Sequence, residues 1–291
     1  MKKIAILGCE NSHADTFLNL IYNTDGYRDI EVVGVYSNEP EAVKKLNEKY
    51  GVAILEHYSD AVGKIDGLII TARHGDLHYE YAKPYIESGI PMFIDKPVTI
   101  KESEAIEFMK ELKAHGVRFA GGSSLKHDAG VKALKKERED EVDGKTLGGF
   151  VRAPLDMASV YGGFYFYAPH LVEVVSEIYG RYPVSVDAKK TGDILNVKFN
   201  YDGYTVDGMF VEHNYLYYAS RYAEKSVKGM NLECTDTNNW FKSEFDEFYA
   251  VLGGSESPSS YEELIASVFV MNAIMRSLAS GSEEKVNTFT V

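Results

Sequence analysis

Cysteine is scarce in this chain: of 291 residues only Cys9 and Cys234 are cysteines. Two so far apart cannot frame a disulfide scaffold or close a zinc site, which points to a reduced, cytoplasmic setting. Positive charge is also short. Lys and Arg number 31 against 44 Asp and Glu, for a net −13. A nucleic-acid binder shows a basic stripe, so no nucleic-acid partner is expected. The acidity itself reports solubility and names no substrate. No apolar run approaches the length of a membrane span, and no membrane partner is expected. Met1-Lys2-Lys3 runs into an apolar stretch that ends at Gly8, too short for the core of a leader peptide. Metal ligands do not converge either. His74-x-x-x-His78 has the spacing of a helical ligand pair, but Gly75-Asp76 breaks the helix there, and no metal is expected.

What is present is ordinary globular composition, 45% hydrophobic and 26% charged, in a chain long enough for two domains. In the first part, short apolar runs alternate with amphipathic stretches. Ile4–Leu7, Ile30–Tyr36, Val52–Leu55, Gly67–Thr71, the run ending in Phe93-Ile94, and Val117–Ala120 read as strands. Ala14–Tyr22, Pro40–Tyr50, Leu77–Ser88 and the stretch with Ala105, Phe108, Met109 and Leu112 read as helices. This alternation predicts a doubly wound parallel α/β sheet, which binds ligands beyond the carboxyl ends of its strands.

Three stretches at those ends carry chemistry. Gly8-Cys9-Glu10-Asn11-Ser12-His13 stands where a dinucleotide site places Gly-x-Gly-x-x-Gly. Only the first glycine is kept; the helix start, with Ser12 and Asp15 as a capping pair, still offers donors to a phosphate. The second strand ends in Tyr36-Ser37-Asn38, which has neither the acid that suits NAD nor the Arg that suits NADP, so the choice stays open. Phe93-Ile94-Asp95-Lys96-Pro97 sets Lys96 at a strand's carboxyl end, with Pro97 holding the turn and Thr99 and Glu102 as a capping box. A lysine over a cleft can hydrogen-bond or protonate a substrate oxygen, and burial lowers its pKa toward the useful range.

These stretches resemble the Gfo/Idh/MocA oxidoreductases. The likeness is carried by Ile4–Gly8 with Ser12-His13-Ala14, by Val33–Tyr36 with Glu39–Ala42, by Asp66–Thr71 with Leu77–Glu80, and by Phe93–Thr99, similar to the family's Glu-Lys-Pro motif with Asp for Glu. Phe245–Val251 and the helix up to Ser280 resemble the family's closing helices. The resemblance implies an N-terminal Rossmann domain for NAD(P), residues 1–122, and a C-terminal α+β domain, residues 123–291, with an open, mainly antiparallel sheet. That sheet would carry the substrate and pair subunits into a homodimer or homotetramer. The implied reaction is hydride transfer to or from a sugar, cyclitol or related small polar substrate. Lys96 becomes the lysine at the reacting oxygen. Cofactor contacts fall on Gly8, Glu10, Asn11, Ser12 and His13 in the first loop and on Ser37 at the second tip. Further on they fall on Thr71, Ala72, Arg73, His74 and His78, and on Asp95 with Lys96.

In the second half Gly121-Gly122-Ser123-Ser124 reads as a hinge. Strands are expected over 149–154, 184–190, 194–201, 205–211, 215–219, 227–234 and 287–291, with Asp202-Gly203 as a hairpin turn. A helix or charged linker is expected over 129–141, and helices over 240–252 and 262–278. His170 opens a further helix with Leu171, Val174, Val175 and Ile178 on one face. It matches a family histidine, expected as general acid/base because imidazole titrates near the working pH. The family's Asp a few residues earlier is replaced by Phe166 and Tyr167. Tyr165 or Tyr167 is then expected to orient His170 or relay its proton, giving Lys96, His170 and Tyr167 as the catalytic set. Tyr161, Tyr165 and Tyr167 are expected to line a polyol site. Two rivals remain: a non-catalytic cofactor-binding regulator, and a glycosidase that uses bound NAD for transient oxidation.

Overall fold

The computed structural model describes residues 1–290. Five strands form a wholly parallel sheet in the order β2-β1-β3-β4-β5. They are β1 (Lys2–Leu7), β2 (Ile30–Tyr36), β3 (Gly67–Ile70), β4 (Met92–Asp95) and β5 (Phe119–Gly122). Alternate residues point to opposite faces, and both faces are covered. Ile4, Ile6, Ile69 and Phe93 join one apolar cluster, while Ala5, Leu7, Ile70 and Ile94 join another. This is why the strands read as continuous apolar runs. The helices are α1 (Ser12–Asn23), α2 (Pro40–Tyr50), α3 (Asp76–Ile86) and α4 (Glu102–Ala114). The strand order turns outward in both directions from β1, so the crevice at the carboxyl ends of β1 and β3 is the switch point.

Several local expectations change. Residues 52–55 make a single bridge, Ile54 to Val35, because only Val52 is buried there and the segment has no apolar face to hold a longer strand. The cap of α1 is Asn11, whose side chain accepts from the His13 N–H at 3.2 Å, and not Ser12 with Asp15. The Thr99–Glu102 capping box does not form. Thr99 bonds the Lys101 carbonyl at 3.1 Å, and the Glu102 carboxylate is taken by Arg276 at 2.8 Å.

Seven strands form the second sheet, in the order β11-β10-β6-β9-β8-β7-β12. They are β6 (Thr146–Leu155), β7 (Ser185–Thr191), β8 (Ile194–Asn200), β9 (Thr205–Glu212), β10 (Tyr217–Ala223), β11 (Val227–Leu232) and β12 (Glu284–Lys285). Only β6 and β9 run parallel. The expected strand at 287–291 is not formed over 287–290, and Val291 lies outside the described residues. Helices α5 (Ala129–Glu139), α6 (Ala168–Tyr179) and α8 (Tyr261–Ser280) cover the inner face, which is lined by Val151, Val197, Phe199, Val206 and Phe210. The register puts Phe150, Met209, Tyr218, Tyr222 and Val227 on the opposite, open face. Helix α7 (Trp240–Leu252) returns to the first sheet, where Phe245 meets Phe17 and Phe248 meets Phe93. Contrary to expectation, α8 is long and apolar enough to cross a membrane by length and composition. Its apolar residues Leu264 to Ile274 are instead buried in the core, which explains the composition.

Candidate active site

Gly8 ends β1 with φ +81°, and a Cβ there would lie 2.3 Å from the Ala72 nitrogen. Only glycine lets the loops after β1 and β3 meet this closely. The Thr71 hydroxyl then donates to the Gly8 carbonyl at 3.0 Å. The N-terminus of α1 opens beside a cavity of about 500 Å³, lined among others by Glu10, Asn11, Ser12, Lys45 and Arg73. A second cavity of about 380 Å³ lies against Glu10, Asn38, Glu39, His74 and Tyr161. A glycine-tight loop, a helix N-terminus and adjoining cavities at a switch point fit a dinucleotide. The second and third glycine positions carry side chains with other partners. Glu10 accepts from the Ser37 hydroxyl at 2.6 Å and from the Arg73 N–H at 2.9 Å. His13 turns inward to Asp95, its Nδ1 2.6 Å from a carboxylate oxygen. His78 is wholly buried beneath the third loop, its Nε2 2.7 Å from the Ala72 carbonyl.

Asp95 is fully buried and holds its neighbours in place. It takes the Asn11 amide at 3.3 Å, His13, and the backbone N–H of Lys96 at 2.7 Å. Burial alone would raise its carboxyl, but His13 and then Lys96 hold it below its ordinary value. Lys96 is 3% exposed, and its peptide bond to Pro97 is cis. Burial lowers the ammonium's pKa, while Asp95, Glu244 and Glu173 pull it upward. Its Nζ lies 4.9 Å from the centre of the Phe166 ring. His170 is also buried, with Nδ1 2.8 Å from Ser123 Oγ. With the Ser123 hydroxyl as donor to Nδ1, the His170 proton would sit on Nε2; Ser123 Oγ also accepts from the Leu125 N–H at 3.3 Å. Burial first, then the charges of Lys96 and His13, push His170 well below its ordinary value. It is therefore neutral at working pH and not poised to titrate there.

The tyrosines divide. Tyr167 stays beside His170, ring centres 6.2 Å apart. Tyr165 spends its hydroxyl proton on Asn272 of α8 at 3.1 Å rather than on His170. Tyr161 reaches over the first sheet, where Arg73 donates to its hydroxyl at 3.0 Å and that hydroxyl donates to Glu39 at 3.1 Å.

Residues 2–123 match the model of the GFO_IDH_MocA oxidoreductases, described as an oxidoreductase family with an NAD-binding Rossmann fold. The match is confined to the first sheet and its helices. An inositol 2-dehydrogenase of Burkholderia vietnamiensis is 27% identical over 140 residues, which span 46% of this chain but only 40% of that relative. A 2,7-anhydro-N-acetylneuraminate hydratase of Mediterraneibacter gnavus is 32% identical over 79 residues, 27% of this chain and 21% of the relative. The fold likeness extends much further. The scyllo-inositol dehydrogenase of Lactobacillus casei, solved with NAD(H) and scyllo-inositol, superposes with a TM-score of 0.84 over 98% of this chain and 99% of its own, at 14% identity. A myo-inositol dehydrogenase of Corynebacterium glutamicum gives 0.82 over 99% and 100%, at 16% identity.

Sequence reasoning missed two buried acids near Lys96. Glu244 is wholly buried, and neither carboxylate oxygen has a hydrogen-bond partner. Its signal was a charge on the apolar stripe of α7, in step with Trp240, Phe248 and Val251. Glu173 accepts the Ser123 N–H at 2.7 Å, and burial raises its pKa. Its helix α6 is buried nearly all round, so no stripe marked it out.

Proposed function

We propose that this chain is an NAD(P)-dependent dehydrogenase acting on a carbinol carbon of a sugar, cyclitol or related small polar molecule. The observation that carries the reading is Lys96, an almost fully buried ammonium at the carboxyl end of β4, next to the switch-point crevice. Residues 1–122 would hold the cofactor, with the α1 N-terminus and Gly8 facing its phosphates. Residues 123–291 would supply the substrate face, with His170 and Tyr167. When bound, the nicotinamide accepts or returns the substrate hydride. As the carbinol C–H leaves with its electron pair, the hydroxyl proton passes to the neutral form of Lys96; reduction reverses both movements. The lowered Lys96 pKa keeps that neutral form accessible. His170, held neutral with its Nε2–H outward from Ser123, serves as a hydrogen-bond donor to the same oxygen. Asp95 keeps His13, Asn11 and the Lys96 backbone in register. The buried Cys9 and the unpaired Cys234 suit a reduced cytoplasmic setting. The partly apolar open face of the second sheet suits pairing into a homodimer or homotetramer.

The test is turnover on a panel of cyclitols and sugars with NAD and NADP, followed by Lys96→Met. Wild type should reduce cofactor with at least one member. The variant should still bind NADH and lose about a hundredfold or more in kcat. Full turnover in Lys96→Met would refute the assignment. One observation favours the non-catalytic regulator as a second reading: Phe166 faces Lys96 where the family has a carboxylate. That reading expects cofactor to bind and stay redox-silent across the whole panel.

A further inference from the structure

The tip of β2 carries Ser37 in place of the acid or Arg that ordinarily reads the cofactor's ribose. The tip nevertheless has a carboxylate. It arrives from the first loop, at the second glycine position of the fingerprint, and belongs to Glu10. One oxygen takes the Ser37 hydroxyl at 2.6 Å, and the other takes the Arg73 N–H at 2.9 Å. Two donors from two different loops pin the group, so it cannot swing aside cheaply when a ligand enters. Glu10 is 8% exposed and touches both cavities, the one of about 500 Å³ toward α1 and α2 and the one of about 380 Å³ toward the third loop.

Two of the three cations on the cavity wall have partners of their own. Arg73 donates one N–H to the Tyr161 hydroxyl at 3.0 Å and lies over that ring at 4.9 Å, which draws it toward Tyr161. Lys49 is held by both oxygens of Asp15, at 2.7 and 2.9 Å. Lys45 lines the same cavity as Glu10, Glu39 and Glu41. A carboxylate accepts hydrogen bonds from a ribose diol and repels a phosphate monoester, which needs a free bidentate Arg or several free lysines.

Resting on the cofactor reading above, we infer that Glu10 stands in for the missing β2-tip acid and selects a free ribose 2′-hydroxyl over a 2′-phosphate, that is, NAD over NADP. The test is equilibrium binding by the full chain, following nicotinamide fluorescence with NADH and NADPH at one fixed ionic strength. Wild type should bind NADH about tenfold or more tightly than NADPH. Glu10→Gln keeps the shape and removes the charge, so it should narrow that ratio, mainly by tightening NADPH. Glu10→Asp, which retains the charge, should keep the sign of the preference. Equal wild-type affinities, or an unchanged ratio in a folded Glu10→Gln, overturn the role of Glu10 while leaving the cofactor reading intact. Failure to bind either nucleotide overturns both.

Discussion

Glu244 and His170 respond to pH in opposite senses. Burial, reinforced by the Asp95 charge and opposed by Lys126, raises the Glu244 carboxyl well above its ordinary 4.5. The folded chain then keeps a proton that the unfolded chain sheds, so this group costs stability as pH rises above that value. Glu244→Gln should therefore stabilise the protein at about pH 8, with the gain vanishing near about pH 4. Urea midpoints at the two pH values check it; an equal gain at both would place the effect in packing. His170 runs the other way. Its folded pKa is depressed, the unfolded chain takes up a proton first, and stability falls as pH drops through about 6.5.

At the scale of elements, α7 matters more than its late place in the chain suggests. It leaves the second sheet and closes one face of the first, with Phe245 wedged among Phe17, Tyr27 and Phe248. Phe245 is completely buried. Phe245→Ala should cost about 3–5 kcal/mol, read from urea unfolding followed by the fluorescence of Trp240 on the same helix. Trp240 is tied to Asp128 at the cap of α5 by a 2.8 Å bond, so it reports on the junction of the two sheets. A loss below 1 kcal/mol would mean that α7 is a loosely held cover.

For the whole molecule, the second sheet is covered on one side only. Its open face carries Phe150 against Tyr218, and Tyr222 directly opposite Val227, with Val227 73% exposed. An uncovered, partly apolar sheet face of this kind suits the pairing proposed above. Sedimentation should find a dimer or tetramer, and Tyr222→Glu with Val227→Glu should yield a monomer that binds NADH with unchanged affinity. A wild-type monomer at micromolar concentration would remove the pairing reading.

Periodicity and punctuation are local properties, and they were enough for the alternating strands and helices, the Asp202-Gly203 hairpin and the placing of Lys96 at a strand's end. The Val52–Leu55 strand and the Thr99–Glu102 cap failed because each needed a partner that the local pattern does not reveal. The site depends on meetings across the chain: His13 with Asp95, 82 residues apart, Glu10 with Ser37, 27 apart, and Ser123 with His170, 47 apart. Residue types and spacing by themselves determined a doubly wound sheet with a lysine at its ligand edge. Tertiary structure alone decided that this lysine is buried against an aromatic ring, that burial pushes down the pKa of its histidine neighbour, and that a glutamate from the first loop reaches the tip of β2. The physical reason is that burial and Coulomb interaction depend on distance in space, which a linear pattern does not contain.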